Sequence, residues 1–495
     1  MTNILEVKDL RISFERDKNW QEVLKGISFS LKKGETLGLV GESGSGKSVT
    51  SLAIMDLLEK KHCKISENSI FFYGKKKAMI FQEPMNALNP VMKCGKQVME
   101  TGVGKEKVLE LFKEVLLPDA NKAFESYPHQ LSGGQQQRVM IAMALALDPD
   151  ILICDEPTTA LDVSVQKAVL DLISNLKKKR NFAVIFITHD LGVVRQIADR
   201  VAVIYKGEIV ETASKEEIFS SPKNPYTISL LNARKFLDEK PLENEREIIL
   251  QAKNIHIKYG KFTAIENLSF DLYKGETLGL VGESGSGKST LGYTLMNLIE
   301  NAKGEIYFEN RLISNLKKGE LKKLRKDIQI IFQNPYSALN PRIRIGEALE
   351  EVLRVHKIGE NSKKRKEEVI KMLERVGLEK EHYNRYPHEF SGGQRQRIGI
   401  ARSLLLRPKI VICDESVSAL DVRVQAQILA LLNDLKKEFG LTFIFITHDL
   451  EVVRFMSDRI MVMQRGEIVE IDKADRVMNN PQSQYTQKLI SSIPN

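Results

Sequence analysis

GETLGLVGESGSGKS occupies residues 34–48, and the same fifteen residues return unchanged at 275–289. An identity of that length does not arise by chance, so the chain is first of all a repeat of itself. Other pairs follow in the same order: FQEP (81–84) with FQNP (332–335), YPHQLSGGQQQR (127–138) with YPHEFSGGQRQR (386–397), and ILICDE (151–156) with IVICDE (410–415). IFITHDL then recurs at 185–191 and 444–450. The offset between copies is 241 at the glycine-rich stretch, 251 at the FQ pair and 259 from SGGQ to the histidine. The second copy therefore gains residues ahead of FQNP and again ahead of SGGQ, while everything from SGGQ to the histidine keeps one spacing. The expected organisation is a first domain over 1–231, a short polar linker over 232–247 (NARKFLDEKPLENERE) and a second domain over 248–495.

The short, β-branched apolar runs ILIC (151–154) and AVIFIT (183–188) read as fully buried parallel strands, and the stretches between them suit helices. That pattern predicts an α/β fold. Gly41–Ser48 and Gly282–Ser289 fit GxxxxGK[ST] between such a strand and a helix. Small residues at Gly41, Ser43, Gly44 and Gly46, and at Gly282, Ser284, Gly285 and Gly287, let backbone N–H groups wrap a polyphosphate. Lys47 and Lys288 would reach the β and γ oxygens, and Ser48 and Ser289 would ligate Mg²⁺.

Asp155-Glu156 and Asp414-Glu415 each end an apolar strand, where carboxylates are costly unless they serve a cation or a proton transfer. The first acid is placed to hold Mg²⁺ and the second to polarise an attacking water. His189 and His448 lie 34 residues beyond Asp155 and Asp414, at the expected carboxyl edge of the sheet, and read as γ-phosphate sensors. Gln82 and Gln333 stand at the turn FQ[EN]P, where an amide can touch metal or water while its loop senses a partner.

Composition narrows the class. Apolar residues make up 42% of the 495, enough for sizeable cores, which argues against disorder. The net charge of +9 is carried partly by short basic runs at 75–77, 177–180 and 363–366, read as solvated faces. No apolar run approaches the roughly 20 residues of a membrane span. MTNILEVKDL reads as a first strand, not as a targeting peptide. Cys63, Cys94, Cys154 and Cys413 stand apart with no CxxC pair, which suits a reducing compartment.

Taken together, these motifs resemble the nucleotide-binding domains of ATP-binding cassette (ABC) proteins, twice over nearly the whole chain. LSGGQ (131–135) and FSGGQ (390–394) are similar to that family's signature. The resemblance implies two tandem P-loop NTPase domains. Each would have a RecA-like parallel sheet core, an N-terminal antiparallel β subdomain and a helical signature subdomain. It implies ATP and Mg²⁺ as cofactors, with neither an iron–sulfur cluster nor zinc. The metal would be held by Ser48, Gln82 and Asp155 in one copy and by Ser289, Gln333 and Asp414 in the other. Glu156 and Glu415 would act catalytically with His189, His448, Gln82 and Gln333. By the same resemblance the copies pair head to tail. The first copy's phosphate loop is then completed by Ser391, Gly392, Gly393 and Gln394, and the second's by Ser132, Gly133, Gly134 and Gln135. The family's D-loop falls on Asp162 and Asp421. Its adenine-stacking aromatic falls on Tyr259 and on Phe14, with Trp20 an alternative inside four extra residues ahead of Val23.

EPMNALNP, NPYSALNP, SALDVRVQAQ and the closing PKNPYTISLL and PQSQYTQKLI resemble ATPases of oligopeptide, dipeptide and nickel importers, here fused into one chain. This implies di- or oligopeptide import, with nickel as the alternative, and two integral-membrane permease subunits as partners. An extracytoplasmic solute-binding protein and a peripheral place on the cytoplasmic face of the inner membrane are implied as well. A non-transport twin cassette acting on ribosomes or DNA is the rival class, disfavoured by the short 232–247 segment and the lack of clustered cysteines; no nucleic-acid partner is expected. Gln82 follows Ser48 by only 34 positions, which predicts that the first copy has lost a helix-bearing segment there.

Overall fold

The computed structural model describes residues 2–16, 19–59, 61–82, 84–158, 163–232, 247–260, 262–299, 302–314, 316–333, 339–417 and 420–492. Asp162 and most of the 232–247 segment lie outside them. Two compact units result, one built chiefly on Met1–Lys235, the other chiefly on Phe236–Leu420 and Val424–Ile493.

The first unit contains strands β1 (Asn3–Arg16), β2 (Asn19–Lys32), β3 (Thr36–Val40), β4 (Cys63–Ile65), β5 (Ile70–Phe72), β6 (Lys77–Ile80), β7 (Ile151–Asp155), β8 (Ala183–Thr188), β9 (Arg200–Tyr205) and β10 (Glu208–Ser214). β3, β7 and β8 are buried at every position, as strands covered on both faces must be. They sit in a six-stranded sheet of order β10-β9-β3-β8-β7-β6, parallel except at the β9–β10 edge. β1, β2, β4 and β5 make a separate antiparallel sheet. Helices Cys94–Met99, Lys105–Glu114, Ala120–Glu125 and Gly133–Ala146 bury Val98, Leu111, Phe112, Phe124 and Ile141 against Ala78, Leu152 and Val184 of the main sheet.

The second unit repeats this plan with β11 (Ile248–Tyr259), β12 (Phe262–Tyr273), β13 (Thr277–Val281), β14 (Lys303–Phe308), β15 (Arg311–Leu312), β16 (Ile328–Ile331), β17 (Ile410–Asp414), β18 (Thr442–Ile446), β19 (Arg459–Gln464) and β20 (Glu467–Lys473). Its main sheet runs β16-β17-β18-β13-β19-β20, the same order read from the other edge. The expected α/β architecture, with antiparallel, parallel and helical parts, is present in both.

Two local differences between the copies bear on their alignment, the first accounting for the step in offset from 241 to 251. A ten-residue helix, Lys318–Asp327, precedes β16 and buries Leu324 beside Ile328 and Ile330. The first unit passes from β5 to β6 through residues 73–76 with no helix, as the short Ser48–Gln82 interval predicts. The other difference is in the N-terminal hairpin. Ile12 pairs Leu24 and Phe14 pairs Gln21 in one copy, while Ile257 pairs Ile265 and Tyr259 pairs Phe262 in the other. Both ladders slip at the same step, so register equates Phe14 with Tyr259 and puts the four extra residues at the hairpin's tip.

Parallel strands place their carboxyl ends together. Val40 lies beside Thr188 and Val203, and Asp155 beside Ile187. Gln82, the phosphate loop, Glu156 and His189 therefore leave the sheet at one edge, where α/β folds bind ligands.

Candidate nucleotide-binding sites

The phosphate loop turns sharply from β3 into the helix Lys47–Ile54. Gly46, the residue ahead of that helix, has φ 106°, and a Cβ there would sit 2.4 Å from Leu24 Cδ2. No L side chain fits both demands. Lys47 is 5% exposed, and its Nζ donates to the carbonyls of Gly41 (2.7 Å) and Glu42 (2.8 Å). Burial lowers its pKa, opposed by the charges of Glu156 and Asp155. Lys288 repeats the arrangement with Gly282 at 2.7 Å and Glu283 at 2.9 Å.

Ser48 Oγ donates to Asp155 Oδ1 at 3.2 Å, and Ser289 Oγ to Asp414 Oδ1 at 2.8 Å. Burial raises the pKa of both aspartates, against the pull of these hydroxyls, and the adjacent Glu156 and Glu415 add like-charge repulsion. A buried carboxylate in that condition favours a cation. The donors at hand are a hydroxyl, a carboxylate and the amide oxygen of Gln82 or Gln333, all hard oxygens of the kind Mg²⁺ prefers, so these residues fit the metal. The second carboxylate oxygen differs between copies: Ser51 Oγ meets Asp155 Oδ2 at 3.5 Å, whereas the Tyr293 hydroxyl donates to Asp414 Oδ2 at 3.1 Å. Burial first, then Asp414, push the Tyr293 phenol up to about 12.

Glu156 and Glu415 take φ of 47° and 45°, a left-handed conformation that costs about 1 kcal/mol or more for a residue with a Cβ. Their carboxylates are held at both ends. Gln82 Nε2 donates to Glu156 Oε2 at 3.1 Å, and His189 Nδ1 lies 3.1 Å from Oε1. In the other copy Gln333 Nε2 donates to Glu415 Oε2 at 2.7 Å, and His448 Nδ1 lies 3.5 Å from Oε1. Burial opposes protonation of both histidines, yet the hydrogen bond and charge of the neighbouring glutamate win, and both pKa values rise. The bond from His448 in turn lowers the pKa of Glu415. Each unit thus gathers its lysine, serine, aspartate, glutamate, glutamine and histidine at one sheet edge.

The signature serines cap their helices. Ser132 Oγ accepts from Gln135 N while Gln135 Oε1 accepts from Ser132 N, and Ser391 and Gln394 do the same. A Cβ on Gly134 would lie 2.6 Å from Val165 Cγ1 and one on Gly393 2.4 Å from Val424 Cγ1, so close helix packing requires glycine at both. Phe14 is partly buried against the core of its own unit, Tyr259 is 50% exposed, and Trp20 is 43% exposed with Lys64 Nζ 3.9 Å above its ring. Asp421 directly precedes the helix Val422–Phe439, and Asp162 lies outside the described residues. Sequence reasoning missed Ser51 and Tyr293, and it read Tyr226 and Tyr485 only as marks of resemblance.

A phosphate-binding glycine loop, a lysine, a serine–aspartate pair and a clamped glutamate define a P-loop ATPase site, built twice. Residues 24–159 and 265–418 match the ABC transporter family, and residues 210–256 and 469–495 match the C-terminal region of oligopeptide/dipeptide transporters. The glutathione import ATP-binding protein GsiA of Shigella flexneri serotype 5b, and that of Escherichia coli K12, are each 46% identical to this chain, over 99% of it and 90% of their own length. The aligned stretch of 561 residues exceeds the 495 of this chain, so these relatives carry segments that it lacks. Among solved structures, cbiO1 from Clostridium perfringens, part of the ABC transporter complex cbiONQ, is 27% identical over 48% of this chain and 92% of that one, with a TM-score of 0.44. The chain belongs to the ABC transporter family, as an ATP-hydrolysing import subunit of its oligopeptide/dipeptide branch.

Proposed function

We propose that this chain drives import of short peptides, glutathione among them, by hydrolysing ATP in both cassettes. The observation that carries the reading is the presence of every reactive group in each unit, joined to a C-terminal region of the oligopeptide/dipeptide type. The domains are 1–231 and 248–495, tethered by 232–247. Backbone N–H groups of 41–48 and 282–289 bind the polyphosphate, and Lys47 and Lys288 leave their carbonyl acceptors for its β and γ oxygens. Phe14 and Tyr259 stack on adenine. Ser48, Asp155 and Gln82, with Ser289, Asp414 and Gln333, would hold Mg²⁺, which when bound neutralises charge on the phosphoryl oxygens. Glu156 and Glu415 accept the proton of the attacking water, oriented for it by Gln82 with His189 and by Gln333 with His448. The signature residues 132–135 and 391–394 offer helix N-termini to the nucleotide. Asp162 and Asp421 serve as the D-loop acids.

The loops after Gln82 and Gln333 pass the change to two integral-membrane permeases, fed by an extracytoplasmic solute-binding protein. The chain takes a peripheral seat on the cytoplasmic face beside these permeases; among the described residues no helix is long and apolar enough to cross a membrane. Reconstitution in nanodiscs with the two permeases and the binding protein tests the substrate. ATPase should rise with binding protein loaded with glutathione or di- and tripeptides. Stimulation by Ni²⁺ and not by peptide would make this a nickel importer.

A further inference from the structure

The closing motifs PKNPYTISLL and PQSQYTQKLI have no part in the chemistry above, yet each sends a side chain to the phosphate loop. The Tyr226 hydroxyl accepts from the Glu42 N–H at 3.3 Å, and the Tyr485 hydroxyl accepts from the Glu283 N–H at 3.0 Å. Glu42 and Glu283 are the second residues of their loops, and their carbonyls, with those of Gly41 and Gly282, hold Lys47 and Lys288. The peptide unit before each glutamate is therefore held at its N–H by a tyrosine, and the unit after it at its C=O by the phosphate-loop lysine.

The tyrosines are themselves anchored. Glu211 of β10 accepts from the N–H groups of Lys223 (2.8 Å) and Asn224 (3.1 Å), and Asn224 Oδ1 accepts from Tyr226 N at 2.8 Å. In the other copy Glu470 of β20 accepts from Gln482 N (2.9 Å) and Ser483 N (3.1 Å), and Ser483 Oγ accepts from Tyr485 N at 3.2 Å. The helices Pro225–Asn232 and Gln484–Ile490 also pack against the phosphate-loop strand and the helix that follows the histidine. Tyr226 and Leu230 share a core with Val40, Leu191 and Val194, and Leu489 shares one with Val281, Leu450 and Val453. Burial, with the charge of Glu42, pushes the Tyr226 phenol up to about 12, so it stays a neutral hydroxyl.

We infer that Tyr226 and Tyr485 are positioning residues for ATP. Through them the C-terminal region sets the Glu42 and Glu283 peptides, and with these the shape of the phosphate loop and the starting point of its lysine. The two copies repeat the contact although their flanking residues differ (Asn224 against Ser483, Pro225 against Gln484), which is what a retained function would leave behind. The inference rests on the reading of 41–48 and 282–289 as ATP sites.

The test uses the full chain and the fluorescent nucleotide MANT-ATP, comparing wild type, Tyr226→Phe/Tyr485→Phe and Lys47→Ala/Lys288→Ala. Phenylalanine keeps the ring and its packing and removes only the acceptor. The tyrosine variant should bind MANT-ATP about fivefold more weakly and raise KM for ATP by a like factor, since one hydrogen bond of ordinary strength is lost. Its kcat should stay within about twofold and its nucleotide-free Tm within about 2 °C of wild type, because the change leaves the core intact. Amide exchange in the peptide containing Glu42 should quicken in the variant, a readout that packing alone does not move. Affinity and exchange equal to wild type in the tyrosine variant, with binding abolished in the lysine variant, would overturn this inference alone. Unaltered binding in the lysine variant would overturn the ATP-site reading and this inference with it. Should the variant not fold, exchange in wild type still decides: a Glu42 amide as fast as an unprotected loop amide overturns the contact.

Discussion

Glu156 and Glu415 each hold a left-handed backbone although a side chain with a Cβ disfavours it. In each copy a glutamine and a histidine grip the two oxygens of the glutamate carboxylate. Glutamine at either position keeps the shape and removes the carboxylate that the proposed mechanism uses as its proton acceptor. Glu156→Gln and Glu415→Gln should leave similar residual ATPase, within about twofold of each other, and the double variant should lose at least about a hundredfold, the usual worth of a general base. Steady-state hydrolysis alongside MANT-ATP binding checks this, and strongly unequal single variants would show that the sites differ. The groups gathered at each sheet edge were legible from motif and spacing because a glycine loop between a strand and a helix tolerates few solutions. Ser51, Tyr293, Tyr226 and Tyr485 were not, since their partners lie 104, 121, 184 and 202 residues away and only tertiary approach brings them in. Tyr293 has no equivalent in the first copy, where Leu52 holds its place 241 residues earlier.

Individual elements are tied into each sheet by polar contacts that the two copies make alike. Asp199 Oδ2 accepts from Thr36 N at 2.7 Å and from Lys177 Nζ at 2.8 Å, and Asp458 Oδ2 accepts from Thr277 N at 2.7 Å and Lys436 Nζ at 3.1 Å. Thr36 is fully buried, so Asp199→Ala strands the first N–H of β3 and should destabilise the first unit by about 1–2 kcal/mol. Urea unfolding would register that loss, and Asp199→Asn, which keeps an acceptor, should recover part of it. A second contact reverses polarity between copies. Glu114 meets Arg180 and Lys179 in the first, whereas Arg375 meets Glu438 in the second. The Arg180 hydrogen bond is the main cause holding Glu114 below its ordinary value of 4.5. A carboxylate with a lowered folded pKa contributes stability that is present above that ordinary value and lost as pH falls through the folded one. Stability of wild type relative to Glu114→Gln should therefore shrink below about pH 4.5, while a constant difference down to pH 3 would show the pair to be inert. At this scale the lost helix was readable from spacing alone, because the segment before β6 can shorten without moving the sheet. The equivalence of Phe14 and Tyr259 needed the ladder, since four added residues in a hairpin can be divided between its strands in several ways.

Across the whole molecule the described thiols share one kind of environment, and two of them stand at equivalent places in the repeat. Cys154 and Cys413 occupy the same place in β7 and β17, one residue before the aspartate, with both faces of the strand covered. All four cysteines are free and buried. Burial raises each thiol: Cys94 to about 11, Cys413 to about 12, with Cys63 and Cys154 also moved up, the last helped by the negative charge of Asp155. The thiolate is the reactive form, and a group with a pKa near 11 is ionised in only about one molecule in a thousand at pH 8. Low ionisation and lack of access act together, so the native chain should be nearly silent to a thiol reagent. With 5,5′-dithiobis(2-nitrobenzoic acid) at pH 8, the folded protein should release well under one equivalent in the time that a guanidinium-unfolded sample releases four. A single fast equivalent from folded protein, mapped by mass spectrometry, would show that one of these strands or loops opens readily, with Cys63 of the short β4 the first to inspect.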